Sequence, residues 1–309
     1  MNAAALPSQP DDYRAARESL AHRPRAGGVL AVTGEDRVAF LQGQLTQEMR
    51  GLSPGEARPA AGLTPKGKLV FIARVVGVPE EILLLVPEAC RETARSHLAK
   101  YAAFHRVSVL DRTEEFMRVG LYGPGSAGIA LPEGAWLLPP EGELAGEVLA
   151  PSAERRAVEG ALARAGSVPV AGETAEALRI EAGRPRFGQD ADASHLPDEA
   201  ALGATISSTK GCYVGQEVVA RLRTYGRVNK RLIGFRFPQG ALPAGAVLKR
   251  PEAPEPEKIE MGRVTSAGVS PRLGPIGLGY AFREVVAGDR LVSVLWPARS
   301  AVVTALPFL

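Results

Sequence analysis

The chain has 309 residues, of which 45% are hydrophobic and 23% are charged, so we expect about two folded domains rather than a disordered or collagen-like chain. Its net charge of +3 is too close to neutral to indicate a nucleic-acid binder by composition alone. Two cysteines cannot build a disulfide framework, no apolar stretch approaches the ~20 residues of a membrane span, and no secretory signal is recognisable. We therefore expect a cytoplasmic protein.

The first half of the chain alternates helical and strand patterns. Order is expected to begin near Tyr13, after a polar start. We predict strands at residues 28–32, 69–76, 82–86 and 106–110, and helices at residues 33–49 and 87–102. Because a short turn at residues 77–79 joins two neighbouring strands, the pattern favours antiparallel pairing and an α+β fold over a doubly wound parallel sheet.

The second half contains another α+β unit and then an all-β unit. Strands are predicted at residues 116–122 and 147–149, and helices at residues 153–165 and 173–182. Six short β runs separated by glycine and proline follow, at residues 232–237, 246–249, 259–266, 276–283, 291–296 and 301–305. The expected units are residues 13–112, residues 113–228, and an antiparallel β-barrel over residues 229–309.

Two nucleotide-binding patterns are interpreted as coincidences. Residues 123–128 match GxGxxG, but Pro132 would end the helix that a dinucleotide site requires. Residues 62–68 match GxxxxGK, but Leu69 replaces the hydroxyl residue that would hold magnesium. The four histidines and two cysteines show no metal-ligand spacing, so no metal site is expected.

The most specific local pattern is KGCYVGQE at residues 210–217, which we call the signature segment. A helix is expected to open at Gly215 or Gln216. A helix N-terminus and Lys210 would then both favour the thiolate of Cys212, making it a candidate reactive thiol. The alternative is that Cys212 is a small buried hydrophobic residue. Cys90 lies on an apolar helical face and is expected in the core.

Residues 210–236, the basic segment, carry seven cations and a single acid, Glu217. The cations are Lys210, Arg221, Arg223, Arg227, Lys230, Arg231 and Arg236. A solvated helix face accounts for part of this charge; an anion-binding site is the functional interpretation.

Seven segments together resemble the YgfZ family of folate-binding proteins, relatives of the glycine-cleavage T-protein (aminomethyltransferase). They are FLQGQLTQE at 40–48, TPKGK at 64–68, LRIEAGRPRFGQD at 178–190, KGCYVGQE at 210–217, VNKRL at 228–232, GRVTSA at 262–267 and LGY at 278–280. The signature segment is specific to this family, whereas the other segments are shared with the T-protein branch.

The resemblance implies two α+β subdomains and a C-terminal β-barrel, arranged as a cloverleaf around a central folate cavity. It implies tetrahydrofolate as cofactor, and a role in assembling or maintaining iron–sulfur proteins, including those that modify tRNA. It assigns the pterin contact to Glu181, whose carboxylate can accept two hydrogen bonds from an amino-pyrimidine edge. We also expect Tyr213, Gln216 and Arg221 to contribute to cofactor binding, and Lys210 to act with Cys212.

One departure from the T-protein pattern concerns catalysis. T-proteins carry an Asp pair where this chain has the acid-free stretch 69–72, and an apolar strand cannot move the proton of an amine. A folate-dependent accessory factor is therefore the main hypothesis. An aminomethyltransferase or folate-linked demethylating enzyme is the alternative, and an RNA-binding module using the basic segment is a third.

Overall fold

A computed structural model of the chain describes residues 9–226, 228–251 and 260–309, which form two five-stranded sheets and a closed six-stranded barrel. The α+β class with a C-terminal antiparallel barrel is thereby confirmed. The sequence also indicates a polar hairpin excursion at residues 251–258, and this stretch falls mostly outside the described residues.

The first sheet has the strand order β3-β4-β5-β2-β6 and only antiparallel neighbours. Its elements are β2 (Gly28–Thr33), α2 (Arg37–Gln44), β3 (Ala57–Leu63), β4 (Leu69–Val78), β5 (Glu81–Val86), α3 (Arg91–Ala102) and β6 (Ser108–Asp111). Strands β4 and β5 present apolar side chains on both faces of the sheet. One face packs under α2 and α3, and the other meets the second sheet.

The second sheet has the order β10-β1-β7-β9-β8. Its elements are α1 (Asp11–Glu18), β1 (Ala21–Pro24), β7 (Phe116–Tyr122), β8 (Trp136–Leu138), β9 (Gly146–Pro151), α4 (Arg155–Arg164), β10 (Val168–Pro169) and α5 (Gly172–Glu181). Strand β1 pairs with β7 in the antiparallel sense and with β10 in the parallel sense. Strand β1 is thus part of the second sheet, and α1 packs against that sheet, although the expected first unit began at Tyr13. The proposed unit boundaries otherwise stay a prediction.

The barrel closes in the order β11-β14-β13-β12-β15-β16, and α6 (Gln216–Tyr225) precedes it. Its strands are β11 (Lys230–Arg236), β12 (Val247–Lys249), β13 (Gly262–Ser270), β14 (Gly274–Phe282), β15 (Arg290–Ser293) and β16 (Ser300–Thr304). Phe235, Phe237 and Leu248 fill its interior. Because α5 packs across β13 and β14, the barrel is attached to the second sheet through that helix.

The predicted helix over residues 33–49 is shorter in the structure. Helix α2 ends at Gln44, and Leu45 is extended, forming a bridge with Gly62. Thr46 continues this contact, because its backbone N–H donates to the carbonyl of Ala61. The helical spacing of apolar residues extends past the end of α2 because Leu45 and Met49 are also buried, although they lie in an irregular segment.

Short 3-10 turns connect several elements. They cover Glu88–Cys90, Thr113–Glu115, Pro124–Gly128, Ser152–Glu154 and Gly203–Thr205. The glycine-rich residues 123–128 form one of these turns. As predicted from the sequence, they do not begin an α-helix.

Candidate functional site

A cavity of about 690 Å³ lies between the two sheets and is bordered by α5; we call it the central cavity. Strands β1, β3, β4, β5 and β7 contribute to its wall. Small side chains at the wall, Ala60, Ala73 and Ala175, leave the space open. Its volume is in the range of small-molecule sites, roughly 300–1,000 Å³.

Arginine dominates the polar wall of the central cavity. Seven arginines line it: Arg23, Arg25, Arg74, Arg118, Arg179, Arg184 and Arg186. Four glutamates accompany them: Glu88, Glu141, Glu143 and Glu176. Glu147 and Asp190 behind the wall pair with three of these arginines, so cations exceed acids only slightly. Guanidinium groups can hold carboxylates through paired hydrogen bonds.

Glu147 of β9 is buried behind this wall and connects the two sheets. It accepts hydrogen bonds from Arg74 of β4 at 3.0 Å and from Arg118 of β7 at 2.9 Å, and Arg25 lies 3.4 Å away. Burial by itself would raise the pKa of Glu147, but the guanidinium groups of Arg118, Arg25 and Arg74 outweigh it and hold the pKa below its ordinary value. This ion cluster fixes the first sheet against the second.

The arginine cluster was not predicted from the sequence. An excess of arginine over lysine is typical of GC-rich coding sequences and does not by itself indicate a site. Two positions carried a usable signal: Arg74 interrupts an apolar strand, and Glu147 lies within another strand. A charged residue in a strand with buried neighbours on both sides needs a partner, which indicates a buried ion cluster.

A second charged network fixes α5 against the barrel. Arg179 donates to Glu176 at 2.6 Å, to Asp190 at 2.8 Å and to Ser266 of β13 at 2.8 Å. Burial would raise the pKa of Glu176, yet Arg179 and Arg186 hold it below the usual range. These contacts set the orientation of the helix face that borders the central cavity.

Glu181 does not line the central cavity. Its carboxylate is 1% exposed and accepts hydrogen bonds from Tyr13 at 2.9 Å, from Arg17 and from Ser270. Three of its roughly four acceptor positions are therefore filled by protein groups. Glu181 thus ties α1, α5 and the barrel together, and its expected pterin contact stays a prediction.

The signature segment packs against the first sheet's loops. The backbone N–H of Val214 donates to the carbonyl of Gly43 at 3.1 Å. Helix α6 begins at Gln216, as predicted, and Gly215 before it has a φ of +82°. A Cβ on Gly215 would lie 2.6 Å from the carbonyl oxygen of Thr64. Three motifs therefore meet at one place: residues 40–48, residues 64–68 and the signature segment.

Backbone carbonyl groups hold the ammonium of Lys210, and its expected role with Cys212 stays a prediction. Its buried ammonium donates to the backbone carbonyls of Gln42 at 2.7 Å, Leu45 at 2.5 Å and Gln47 at 2.9 Å. Burial lowers the pKa of Lys210 to about 8, whereas the three carbonyls favour its protonated form. Lys210 thereby holds the irregular turn that follows α2, which the sequence could not reveal.

The two cysteines have opposite environments. Cys90 is 1% exposed and belongs to the core under α3, as predicted. Cys212 is exposed and free, so the alternative that it is a buried hydrophobic residue is wrong.

The residues expected to assist the cofactor lie apart from the central cavity. Tyr213 is half-buried against the first sheet's core, Gln216 opens α6, and Arg221 is exposed on that helix. None of the three lines the cavity. Their role in cofactor binding stays a prediction.

The basic segment does not present one free cationic face. Lys210 is buried, and Arg223 pairs with Asp198 at 2.8 Å. Arg221 is exposed, and Arg227 lies outside the described residues. Some cations of the basic segment therefore make structural contacts, and others face solvent.

Within residues 9–226, 228–251 and 260–309, no group of three or more His, Cys, Asp or Glu side chains is placed to hold a metal ion. In the same part of the chain, no helix has the length and apolar character needed to cross a bilayer.

Comparison with known proteins places this architecture in a class. No family model matches the chain. The solved structure of the glycine cleavage system aminomethyltransferase T from Bartonella henselae superposes with a TM-score of 0.83 and 21% identity, over 96% of this chain and 88% of that one. The fold is therefore that of aminomethyltransferase T.

Relatives by sequence carry two names, aminomethyltransferase and YgfZ. The chain is 29% identical to an aminomethyltransferase of Rubrobacter xylanophilus, covering 98% of this chain and 88% of the relative. It is 28% identical to the tRNA-modifying protein YgfZ of Colwellia psychrerythraea, covering 67% of this chain and 68% of the relative. The expected resemblance to the YgfZ family and to its aminomethyltransferase relatives is thereby confirmed.

Proposed function

We propose that the protein binds a reduced folate, tetrahydrofolate or a derivative, in the central cavity. The arginine-lined space of about 690 Å³ between the two sheets carries this proposal. A folate combines a flat pterin with the carboxylates of a glutamate tail. Its size fits this volume, and its carboxylates are groups that guanidinium side chains can bind through paired hydrogen bonds. Folate dependence of the related families supports the same assignment.

Cavity filling tests this proposal without removing any charge. Ala175 borders the cavity on α5, so Ala175→Leu should occupy ligand space. Ala157→Leu, on the exposed side of α4, is the matched control. Calorimetric titration of the full chain with tetrahydrofolate should show binding by the wild type and by Ala157→Leu, and at least about tenfold weaker binding by Ala175→Leu. Absence of wild-type binding at millimolar ligand would contradict the proposal.

We further propose that this folate protein acts as an accessory factor in the assembly or maintenance of iron–sulfur proteins, and thereby affects tRNA modification. The names of its YgfZ relatives support the link to tRNA. The exposed, free thiol of Cys212 supports a reactive role at the signature segment. Iron–sulfur enzymes would be its clients, and the folate would supply a carrier of one-carbon units.

Complementation tests the accessory role. In a bacterial strain that lacks its own YgfZ, the wild-type chain should restore tRNA modifications that depend on iron–sulfur enzymes, measured by mass spectrometry of tRNA nucleosides. Cys212→Ala should fail to restore them while binding tetrahydrofolate normally. Full restoration by Cys212→Ala would show that the thiol is dispensable.

Aminomethyl transfer is the alternative activity, and we propose that it is absent. Ile72, Ala73 and Arg74 are the β4 residues at the cavity wall, and none of them is an acid that could take a proton from an amine. Formation of methylenetetrahydrofolate and ammonia from an aminomethylated lipoyl carrier, at enzymatic rates, would refute this.

A further inference from the structure

A second cavity, of about 580 Å³, lies beside the connection between β1 and β2; we call it the side pocket. Strand β1 pairs with β7 only over residues 119–122, and the chain then leaves the second sheet for β2 in the first sheet. Among the described strands, none neighbours residues 116 and 117 of β7 on this side, and the side pocket occupies the gap. Residues 24–26 border both the side pocket and the central cavity, so the two cavities are neighbours.

The floor of the side pocket is apolar. Met117 and Val119 of β7 and Leu162 of α4 belong to one buried cluster. Val29 and Phe116 come from the contact between the two sheets. The volume falls in the range of small-molecule sites, roughly 300–1,000 Å³. The side pocket can therefore hold the apolar body of a small ligand.

Three charged side chains of the pocket wall have no partner among the described residues. Arg155 and Glu159 of α4 and Glu114 are exposed, and their side chains make no hydrogen bond or ion pair there. The remaining charged groups of the wall are already paired: Arg91 with Asp111 at 2.8 Å and with Glu88 at 3.6 Å, and Arg25 and Arg118 with Glu147 at 3.4 Å and 2.9 Å. The charges open to a ligand are thus one cation and two acids.

Arg155 and Glu159 lie one turn apart on α4, where side chains four residues apart are neighbours. Arginine preceding glutamate is the weaker order for a direct pair, and no ion pair joins the two in the part of the chain that the structure describes. Glu114 lies close to this helix, because the hydroxyl of Ser152, just before α4, donates to the Glu114 carbonyl at 2.9 Å. A ligand with a cationic and an anionic group can therefore bridge these side chains.

His22 adds an open polar atom to the pocket wall without adding charge. Its Nδ1 lies 2.8 Å from the hydroxyl oxygen of Ser167, and burial lowers the pKa of the imidazole, which keeps the ring neutral at neutral pH. Its Nε2 has no partner among the described residues, yet they do not enclose it. Because His22 lines the side pocket and not the central cavity, its ring can report which of the two cavities a ligand enters.

We propose that the side pocket binds an α-amino acid with an apolar side chain. Arg155 holds the carboxylate, Glu114 and Glu159 accept hydrogen bonds from the ammonium group, and the side chain lies on the apolar floor. A simple carboxylate would leave both acids without a partner, and a simple amine would leave Arg155 without one. The site is additional to the proposed folate site and does not rest on it.

Three probes with the same phenylethyl body separate the two charges. Phenylalanine carries both charges, phenethylamine carries only the ammonium group, and 3-phenylpropionate carries only the carboxylate. Each probe is titrated at millimolar concentration into the full chain while the imidazole signals are followed by NMR. The His22 signal is assigned by its loss in His22→Gln.

Phenylalanine should shift the His22 signal saturably. It should bind at least about tenfold more tightly than either other probe, because each of them lacks one charge-assisted contact. The signals of His97, His105 and His195, which do not line the side pocket, should not move.

Matched substitutions test the charged contacts. Arg155→Gln should weaken phenylalanine binding about tenfold and leave phenethylamine binding within about twofold. Arg156→Gln, at the next arginine of α4 and outside the pocket wall, should bind both probes as the wild type does. The double variant Glu114→Gln, Glu159→Gln should weaken both, with Glu133→Gln as the exposed control. Thermal melts verify that the variants are folded.

Three results would overturn the proposal. Equal affinity for the three probes would mean that the side pocket holds only the apolar body. Unchanged phenylalanine binding by Arg155→Gln would remove the carboxylate contact. No saturable shift of the His22 signal with phenylalanine would mean that the amino acid does not enter this cavity.

Discussion

Cys90 is a residue whose burial should be visible in the pH dependence of stability. Burial raises the pKa of its thiol from 9.0 to about 11. Between these values the folded protein retains a proton that the unfolded chain has released, so the free energy of unfolding falls as pH rises through this window. Below pH 9 the contribution is fully present. Two pKa units correspond to about 2–3 kcal/mol.

Urea unfolding from pH 8 to pH 11 checks this prediction. Cys90→Ala should show a shallower loss of stability than the wild type above pH 9, although its stability at pH 8 is lower. Cys212→Ala, at the exposed thiol, is the matched control. Identical slopes for the wild type and Cys90→Ala would mean that the thiol does not stay protonated in the folded state.

Lys210 is expected to act on stability rather than on the reactivity of Cys212. In Lys210→Met the apolar stem is retained, but three backbone carbonyls lose the ammonium that now donates to them. We expect a loss of roughly 1–3 kcal/mol in the free energy of unfolding. Lys100→Met, at an exposed position on α3, should change it by less than about 0.5 kcal/mol. Equal effects of the two substitutions would contradict the proposed role.

At the scale of elements, the contact between the signature segment and the TPKGK loop at residues 64–68 depends on Gly215. Its φ of +82° is costly for other residues, and an added Cβ would lie 2.6 Å from the carbonyl oxygen of Thr64. Gly211→Ala is a matched substitution in the same segment, because a Cβ there has no atom within 4 Å.

Gly215→Ala should therefore loosen the start of α6, and Gly211→Ala should not. We expect the first variant to lose about 1–3 kcal/mol of stability. Hydrogen exchange should show faster exchange in residues 64–68 and 213–219 of Gly215→Ala. Protection equal to that of the wild type at both places would indicate that the loop and the segment are not held by this contact.

At the scale of the whole molecule, the ion cluster around Glu147 determines how the two sheets meet. Glu147→Gln would leave Arg118 buried without its carboxylate, and Arg74 with only Glu141, whose Oε2 lies 3.5 Å from the Arg74 Nε. Removing one partner of a buried ion pair costs about 3–5 kcal/mol, because the remaining charge is uncompensated. Thermal and urea unfolding should show a loss of this size. Glu159→Gln, on the exposed side of α4, should stay within about 0.5 kcal/mol of the wild type.

The sheets should also separate more readily in that variant. Since the central cavity is formed between them, Glu147→Gln should weaken tetrahydrofolate binding even where the protein is still folded. A variant with wild-type stability and affinity would show that the apolar contact between the sheets is sufficient without the cluster.

The sequence by itself determined the class of the fold, most of its strands and helices, and the core position of Cys90. These features follow from local sequence patterns. Apolar and polar residues alternate in the strands, apolar residues recur with helical spacing in α2 to α5, and glycine and proline separate the barrel strands. The start of α6 at Gln216 was also set locally. The strands β1, β3, β8 and β10 were not predicted, because they are short or rich in alanine and proline and become strands through pairing.

Only the tertiary structure decided which polar groups meet. Lys210 reaches a carbonyl 168 residues away in sequence, and Tyr13 donates to Glu181 across the same separation. No local pattern encodes such partners, so Lys210 and Glu181 appeared free for chemistry in the sequence and are occupied in the fold. Arg74 and Glu147, 73 residues apart in sequence, likewise pair only because the two sheets meet, since burial is what makes an unpaired charge costly.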